Sequence, residues 1–479
     1  MLLSEIFQAA PDVEIKGLCL DSRNVKKGDV FFCIEGQEAD GHDFVDSAIK
    51  NGAVAIVHRK ELSKKESEIT YIKVQDVSKS LNIACDLFFG QPSKKMTMFG
   101  ITGTNGKTST ANIIKDVISK DKPCGYIGTI AISYGDVVKA PDLTTPDPII
   151  LHSNLKEMVD HGMKAVALEV SSHGLALGRV ETIDFDYAIF TNLTYDHLDF
   201  HKTMENYFEA KKRLFKELKP EGVAILNRDD VSFDELLECC RGKRVSYGID
   251  NEADYRAVDI KMNPKGTEFT LIHEGEKYEV VTNLVAKYNV YNLMGAIAAL
   301  NQSGMPLEDI VKQVASISQI DGRMEKIDEG QDFNVIVDYA HTPDGFEKIF
   351  EYGKAITPKD KRMVVVFGCA GKRDKAKRSV LGSIAGKYCD KVIVTEEDPR
   401  NEKVEDIARE ICSGIKNTEN IYIPNRYQAI EEAIRGAKSG DCVLILGKGD
   451  EPYMYREKGR EPWVGDHVAA KEAVHKLLG

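Results

Sequence analysis

Seven residues, G-T-N-G-K-T-S from Gly103 to Ser109, stand between an apolar run, "MTMFGI", and an amphipathic helical pattern, "ANIIKDVI". A glycine-rich turn between a strand and a helix offers backbone N–H groups, with the helix N-terminus behind them, as a cradle for polyphosphate oxygens. Gly103, Thr104, Asn105 and Gly106 would form that cradle, with Ser109 closing the stretch. Lys107 would reach the terminal phosphates, and Thr108 would hold magnesium directly or through water. The spelling is the short G-x-x-G-K-[ST], since Ile101 stands where the longer phosphate-loop motif has glycine. A GTP-dependent switch would need a D-x-x-G downstream, and no Asp in this chain has Gly three residues on. An ATP-using enzyme is the better reading. A second stretch, "TEEDPRNE" at 395–402, follows the apolar run "KVIVT" with three carboxylates, a proline and an arginine before it closes on Asn401 and Glu402. By itself it reads as a proline turn with solvated charges.

A phosphate loop needs a strand before it and a helix after it, and the flanking pattern supplies both repeatedly. "KAVALEVSS", "YAIFTNL" and "GVAILNRDD" alternate with helical segments, the pattern of a mostly parallel sheet covered on both faces. Before them, "DVFFCI" and "AVAIV" flank a helical "HDFVDSAIKNG", and "FFGQPSKK" at 88–95 reads as a linker. After a boundary near 325–332, "NVIVDYA", "RMVVVFGCAG", "KVIVTEE" and "DCVLILGKG" predict a second sheet of Rossmann-like character. The expected fold is therefore α/β in three domains: a small α/β domain over 1–91, a central phosphate-loop parallel-sheet domain over 92–326, and a Rossmann-like domain over 327–479.

Composition narrows the partners. At 479 residues the chain exceeds one ordinary core. Its net charge of -12, with no offsetting basic block, argues against nucleic acid and membrane surfaces. An anionic ligand must then be held by a few local Lys and Arg side chains. The start, "MLLSEIFQAAPDVE", has Glu5 inside its apolar stretch and no basic leader, and no run approaches a membrane span. Ten cysteines without a C-x-x-C pair fit reduced thiols rather than a disulfide framework or zinc site. A cytoplasmic protein is expected.

Five further stretches follow the phosphate loop: "EVSSHGL" (169–175), "TNLTYDHLDFH" (191–201), "EAKKRLF" (209–215), "GRME" (322–325) and "DYAHTPD" (338–344). In this order they resemble the Mur ligase family, which builds the peptide stem of bacterial cell-wall precursors, over nearly the whole chain. "LDSR", "GQEADGHDF", "LTTPD" and "SSHGLALGRV" are similar to the family member that adds a diamino acid to UDP-N-acetylmuramoyl-L-alanyl-D-glutamate. The resemblance implies a monomeric amide ligase using ATP and Mg2+, with that nucleotide-linked dipeptide and a diamino acid as substrates. Joining a carboxylate to an amine in water requires an acyl phosphate, and phosphoryl transfer is mostly positioning and charge neutralisation. Glu169 ends the strand "AVALE" and His197 follows "YAIFTNL", so both should face the phosphate loop at the carboxyl edge of the sheet. With Lys107 they are the expected catalytic residues, and with Thr108 they are the expected magnesium ligands. On sequence alone Lys211 and Lys212 are charges on a solvated helix face. The resemblance implies instead that Lys211 is catalytic, being carbamylated and fixing a second magnesium. It also implies ATP contacts from Asn289, Asn292, Arg323, Asp338 and His341, and uridine contacts from Ser22 and Gln37, Glu38 and Ala39. Thr144, Thr145, Ser171 and Arg179 are implied at the muramoyl dipeptide.

The family's amino-acid loop is spelled D-N-P-R or D-N-P-A; the aligned residues are Glu397, Asp398, Pro399 and Arg400. The arginine version is associated with meso-diaminopimelate, whose far end carries a carboxylate that a guanidinium fork matches bidentately. Arg373 in "GKRDKAKR" agrees, as do Gly447 and Glu451 in "GKGDE", where Glu451 would take an ammonium. Asp398 in place of Asn adds a negative charge that could pair with a lysine ammonium or with Arg400 itself, which keeps L-lysine as the alternative. The tail after Asp450, "EPYMYREKGREPWVGDH", is longer than the family pattern leads one to expect. A folylpolyglutamate-synthase-like ligase is disfavoured by the first domain. A non-catalytic homologue is disfavoured by the intact Lys107, Glu169, His197 and Lys211.

Overall fold

The computed structural model describes residues 1–36, 39–62, 65–263, 265–317 and 319–479. The first domain is a four-stranded parallel sheet, Gly17–Cys19, Asp29–Phe32, Ala55–His58 and Thr70–Lys73 in spatial order. Helix Val77–Phe88 lays Leu81, Ala84 and Cys85 on Val30, Phe32 and Val57.

The central sheet has eleven strands. Seven run parallel in the order Cys124–Ile127, Ala165–Glu169, Thr97–Thr102, Tyr187–Phe190, Val223–Asn227, Lys243–Gly248 and Tyr255–Asn263. Antiparallel ribbons, Ile132–Tyr134 with Val137–Lys139 and Gly266–His273 with Glu276–Thr282, finish the two edges. Side chains alternate across a strand, so Met98 and Phe99 enter different cores, and both faces are covered. Thr97–Thr102 lies between Ala165–Glu169 and Tyr187–Phe190, neither of which is its neighbour in sequence. Chain order thus reverses at this strand, and such a switch point opens a crevice at the carboxyl ends. The phosphate loop leaves there and enters helix Lys107–Ile118, which packs beside helix Lys287–Gln302.

The third sheet orders Glu325–Ile327, Asn334–Asp338, Cys442–Leu446, Met363–Phe367, Lys391–Val394 and Glu419–Tyr422, all parallel except the first pair. Because Glu325–Ile327 pairs with Asn334–Asp338, this sheet begins before the expected boundary at 326. The long tail is accounted for by structure of its own. Tyr453–Arg456 and Gly459–Pro462 form a hairpin, and helix Asp466–Leu478 places Ala469, Ala470, Ala473 and Val474 against the sheet. The fully buried Arg426 joins these parts: its guanidinium pairs with Asp466 at 2.6 Å and donates to Glu396 O at 3.1 Å and Leu446 O at 2.7 Å. That anchors the ends of two strands from which the acidic loop and "GKGDE" depart.

Candidate active site

Two glycines shape the phosphate loop. At Gly103 (φ 148°) a Cβ would collide with Thr191 Oγ1, and at Gly106 (φ 89°) with Asn292 Oδ1. The loop is therefore pressed between the strand end at 191 and helix Lys287–Gln302. Lys107 Nζ donates to Gly103 O at 2.9 Å and Thr104 O at 2.8 Å, folded back on its own loop. Lys211, 1 % exposed, donates to the same Gly103 O at 2.7 Å and lies 4.4 Å from the Tyr207 ring centre. The solvated-face reading of these lysines therefore fails. Lys211 is buried, and Lys212 is also covered, pairing with Glu209 and Glu235. Burial, with Lys107 beside it, pushes the Lys211 ammonium well below its usual range; burial lowers Lys107 too, against the pull of Glu169 and Asp196.

Glu169 is fully buried at its strand end with both oxygens occupied. Oε2 accepts from Thr108 Oγ1 at 3.0 Å and Thr129 Oγ1 at 3.2 Å, and Oε1 accepts from Thr129 N at 3.1 Å and the Tyr126 hydroxyl. Thr108 Oγ1 and Glu169 Oε2 make a pair of hard oxygens at the helix N-terminus, a donor set that suits magnesium together with phosphate oxygens and water. His197 has left-handed backbone (φ 54°) at the start of helix Leu198–His201, and its Nε2 is 3.3 Å from Asp196 Oδ2. Burial pushes the His197 imidazole down to about 3 despite Asp196, so it is neutral at pH 7 and able to ligate. Burial alone would raise Asp196, but His197, His341 and Lys377 hold it well below the usual carboxylate range.

The third domain meets this site directly. His341 Nε2 is 3.8 Å from Asp196 Oδ2, and Asn105 Nδ2 donates to Asp344 Oδ2 at 3.0 Å. Asp338 accepts from Met324 N and Ala340 N, both at 2.7 Å, which holds the domain junction, and Arg323 stacks 4.1 Å over Tyr339. Asn289 and Asn292 are buried and bonded to each other at 3.0 Å beside Gly106. Of the residues expected at the dipeptide, Thr144 bonds Thr129 Oγ1 at 3.1 Å and lines the cavity, as do Ser171 and Arg179. Thr145 differs: it is fully buried, its hydroxyl is shared between Glu169 O and Ser171, and its carbonyl accepts from Arg179 at 3.0 Å. It positions that loop from behind. Ser22 and Ala39 lie in the first domain, away from this cavity; Gln37 and Glu38 fall outside the described residues.

The acidic loop is bent by left-handed backbone at Asp398 (φ 36°) and Arg400 (φ 52°). Asp398 does not pair with Arg400; its Oδ1 accepts from Lys448 Nζ at 2.8 Å and Tyr455 N at 3.0 Å. Lys448, 1 % exposed, also pairs with Glu451, which accepts from the Tyr339 hydroxyl at 3.1 Å. Arg400 spends one nitrogen on Gly371 O at 2.7 Å and has no ion pair among the described residues. Burial and the nearby Arg373 lower its guanidinium. Arg373 is half exposed, 3.8 Å from Asp199. Glu397 is buried, its Oε2 has no hydrogen-bond partner among the described residues, and burial raises its carboxyl to about 7.

One cavity of about 840 Å³ is lined by the phosphate loop, Glu169, His197, Lys211, Arg323, Arg400 and Glu451. Sequence reading missed Tyr126, Thr129, Asp196 and Lys448, which support those residues. Asp196, inside "TNLTYDHLDFH", and Lys448, as the K of "GKGDE", carried a signal; Tyr126 and Thr129 did not.

Family models match in three blocks: Mur ligase family, catalytic domain, over residues 14–86; Mur ligase middle domain over 101–300; and Mur ligase, glutamate ligase domain, over 322–449. The UDP-N-acetylmuramoyl-L-alanyl-D-glutamate--2,6-diaminopimelate ligase 1 of Clostridium acetobutylicum is 41% identical over 473 residues, 98% of this chain and 95% of that one. A solved UDP-N-acetylmuramoyl-L-alanyl-D-glutamate--2,6-diaminopimelate ligase superposes with a TM-score of 0.70 at 30% identity, covering 100% of this chain and 99% of that one. The MurF ligase of Thermotoga maritima in complex with ADP shares the fold, with a TM-score of 0.66 at 20% identity and 98% of each chain covered.

Proposed function

The chain belongs to the Mur ligase family, and on that premise we propose that it adds meso-diaminopimelate to UDP-N-acetylmuramoyl-L-alanyl-D-glutamate, with ATP, in peptidoglycan precursor synthesis. The side-chain carboxylate of D-Glu attacks the γ-phosphorus of ATP, and ADP leaves. The amine of the diamino acid then attacks the acyl phosphate, and phosphate leaves with the bonding electrons. Lys107 swings from its loop carbonyls to the γ-phosphate, and the loop N–H groups hold the β-phosphate. Thr108 and Glu169 fit magnesium, with His197 lining the same cavity, and the ion would supply charge neutralisation at the phosphates. Carbamylation needs the unprotonated amine, which adds CO2 and releases a proton, and burial favours that form of a lysine. Burial shifts Lys211 in that direction, and as a carbamate it would offer oxygens to a second magnesium.

Arg400 carries the choice of amino acid. Asp398, the departure that left L-lysine open, bonds to Lys448 and to Tyr455 N rather than to Arg400, so the Arg400 fork keeps free nitrogens for a distal carboxylate. Glu397, with its unpartnered oxygen in the same cavity, suits the distal ammonium. ATP dependence and ten free cysteines support a cytoplasmic setting, and a cavity completed within one chain supports a monomer. Incubation with ATP, Mg2+, the UDP-linked dipeptide and meso-diaminopimelate tests the reading by mass spectrometry. The nucleotide-linked tripeptide should form with one ADP per product, and hydroxylamine should trap the acyl phosphate when the diamino acid is omitted. ATP turnover without either product would refute it.

A further inference from the structure

The hairpin Tyr453–Pro462 touches both substrate loops. On one side it carries the amino-acid loop: Tyr455 N donates to Asp398 Oδ1 at 3.0 Å, Arg400 N donates to Tyr455 O at 2.9 Å, and Arg456 pairs with Glu396 at 2.7 Å. On the other side it reaches the central domain through one side chain. Arg460 Nη1 is 3.0 Å from Asp142 Oδ1, Nη2 donates to Asp142 O at 3.1 Å, and both nitrogens lie 3.5 Å from Pro141 O. Its Nε donates to the Tyr455 hydroxyl at 2.9 Å, and its guanidinium lies 4.3 Å from the Tyr453 ring centre and 5.2 Å from that of Tyr455. Pro141, Asp142, Thr144, Tyr453 and Tyr455 all face the cavity.

We propose that Arg460 is a positioning residue for amide formation, fixing the loop that holds the incoming amino acid against the loop that holds the dipeptide. This rests on the ligase reading above. Attack on an acyl phosphate requires nucleophile and carbonyl at near-contact distance, and the two are held by different domains, so a fork spanning them sets the approach. The contact is carried mainly by the backbone carbonyls and the tyrosine stack. The Asp142 carboxylate is 80 % exposed, and an exposed pair contributes little. A lysine at 460 could reach one carbonyl but not bridge the set.

Wild-type phosphate release with all substrates comes first, since its absence would sink the ligase reading rather than this one. Given activity, Arg460→Ala should lower kcat/KM for the diamino acid by about tenfold or more, the scale of a lost charge-assisted fork, while KM for ATP stays within about twofold. Arg460→Lys should recover only part, Asp142→Ala should cost less than about threefold, and Lys458→Ala, at the hairpin tip, should match wild type. An Arg460→Ala enzyme with unchanged kcat/KM for the diamino acid overturns the proposal. So does a loss shared equally between ATP and diamino acid, which would mark a general structural defect. Should wild type release no phosphate, small-angle scattering on the ligand-free proteins decides the contact alone: a larger radius of gyration for Arg460→Ala supports it, and equal radii overturn it.

Discussion

At the phosphate end of the cavity the charged groups hold one another or the backbone, whereas at the amino-acid end two, Arg400 and Glu397, lack an ion-pair partner among the described residues. Lys107 and Lys211 share Gly103 O, and Glu169 accepts four hydrogen bonds. Across the same cavity, among the described residues, Arg400 has no carboxylate partner and Glu397 has a buried oxygen without a hydrogen-bond partner. On the proposed reading, polyphosphate with magnesium would bring enough charge to displace lysines from neutral carbonyls, so that end can be bonded in advance. A zwitterion brings one charge of each sign, and a site that recognises it keeps both complements unpaired. Lys448 marks the line between the two kinds of group, because it takes the Asp398 hydrogen bond and leaves the Arg400 fork without that partner.

The largest effect expected is at the bonded end. Lys107→Ala should lower phosphate release by about a thousandfold, since it removes the cation proposed to meet the transferred phosphoryl group. A loss of only a few-fold would show that the bonded end is not the chemical one. Arg400→Ala should cost about ten- to a hundredfold in kcat/KM for meso-diaminopimelate and leave L-lysine nearly unchanged, because only the former has a carboxylate to lose. Equal losses for both amino acids would erase the distinction between the ends.

A titration sharpens the comparison. Glu397 is held protonated by burial up to about pH 7 and ionises above it. An ammonium favours the ionised form, so KM for the diamino acid should fall as pH rises through about 7, and Glu397→Gln should flatten that step. The same shift predicts a stability contribution that is full below the ordinary carboxylate range and fades as pH rises through about 7, because the folded state binds the extra proton. Thermal melts of wild type and Glu397→Gln across pH 5–8 check the sign. The smallest change is expected for Asp398→Asn. It leaves the Lys448–Glu451 pair in place, and the preference for meso-diaminopimelate should move by less than about threefold.

The bonded end was the more legible in sequence. Gly103, Gly106, Lys107 and Thr108 are adjacent, and their spacing is itself the geometry, so the loop could be read from seven residues. The parallel sheets were legible for a similar reason, since buried strands such as "AVALE" and "CVLIL" are continuous apolar runs. What supports those residues was not. Tyr126 and Thr129 reach Glu169 from 43 and 40 residues away with no local pattern to announce them, and Lys448, though inside "GKGDE", reaches Asp398 from 50 residues away. On charge alone Lys211 reads as solvated, and only the family resemblance gave it a site role, because helix periodicity does not tell that an ammonium will point inward at a carbonyl. The tail looked like surplus length because a hairpin that bridges two domains has no core of its own to leave an apolar signature.

The most direct test of the account compares kcat/KM for phosphate release by the wild-type enzyme, with ATP, Mg2+ and UDP-N-acetylmuramoyl-L-alanyl-D-glutamate, between meso-diaminopimelate and L-lysine. An open Arg400 fork predicts a preference for meso-diaminopimelate of about a hundredfold, one bidentate carboxylate's worth of discrimination. Equal rates, or faster reaction with L-lysine, would contradict it and mean that the charges left open at the amino-acid end do not read a distal carboxylate.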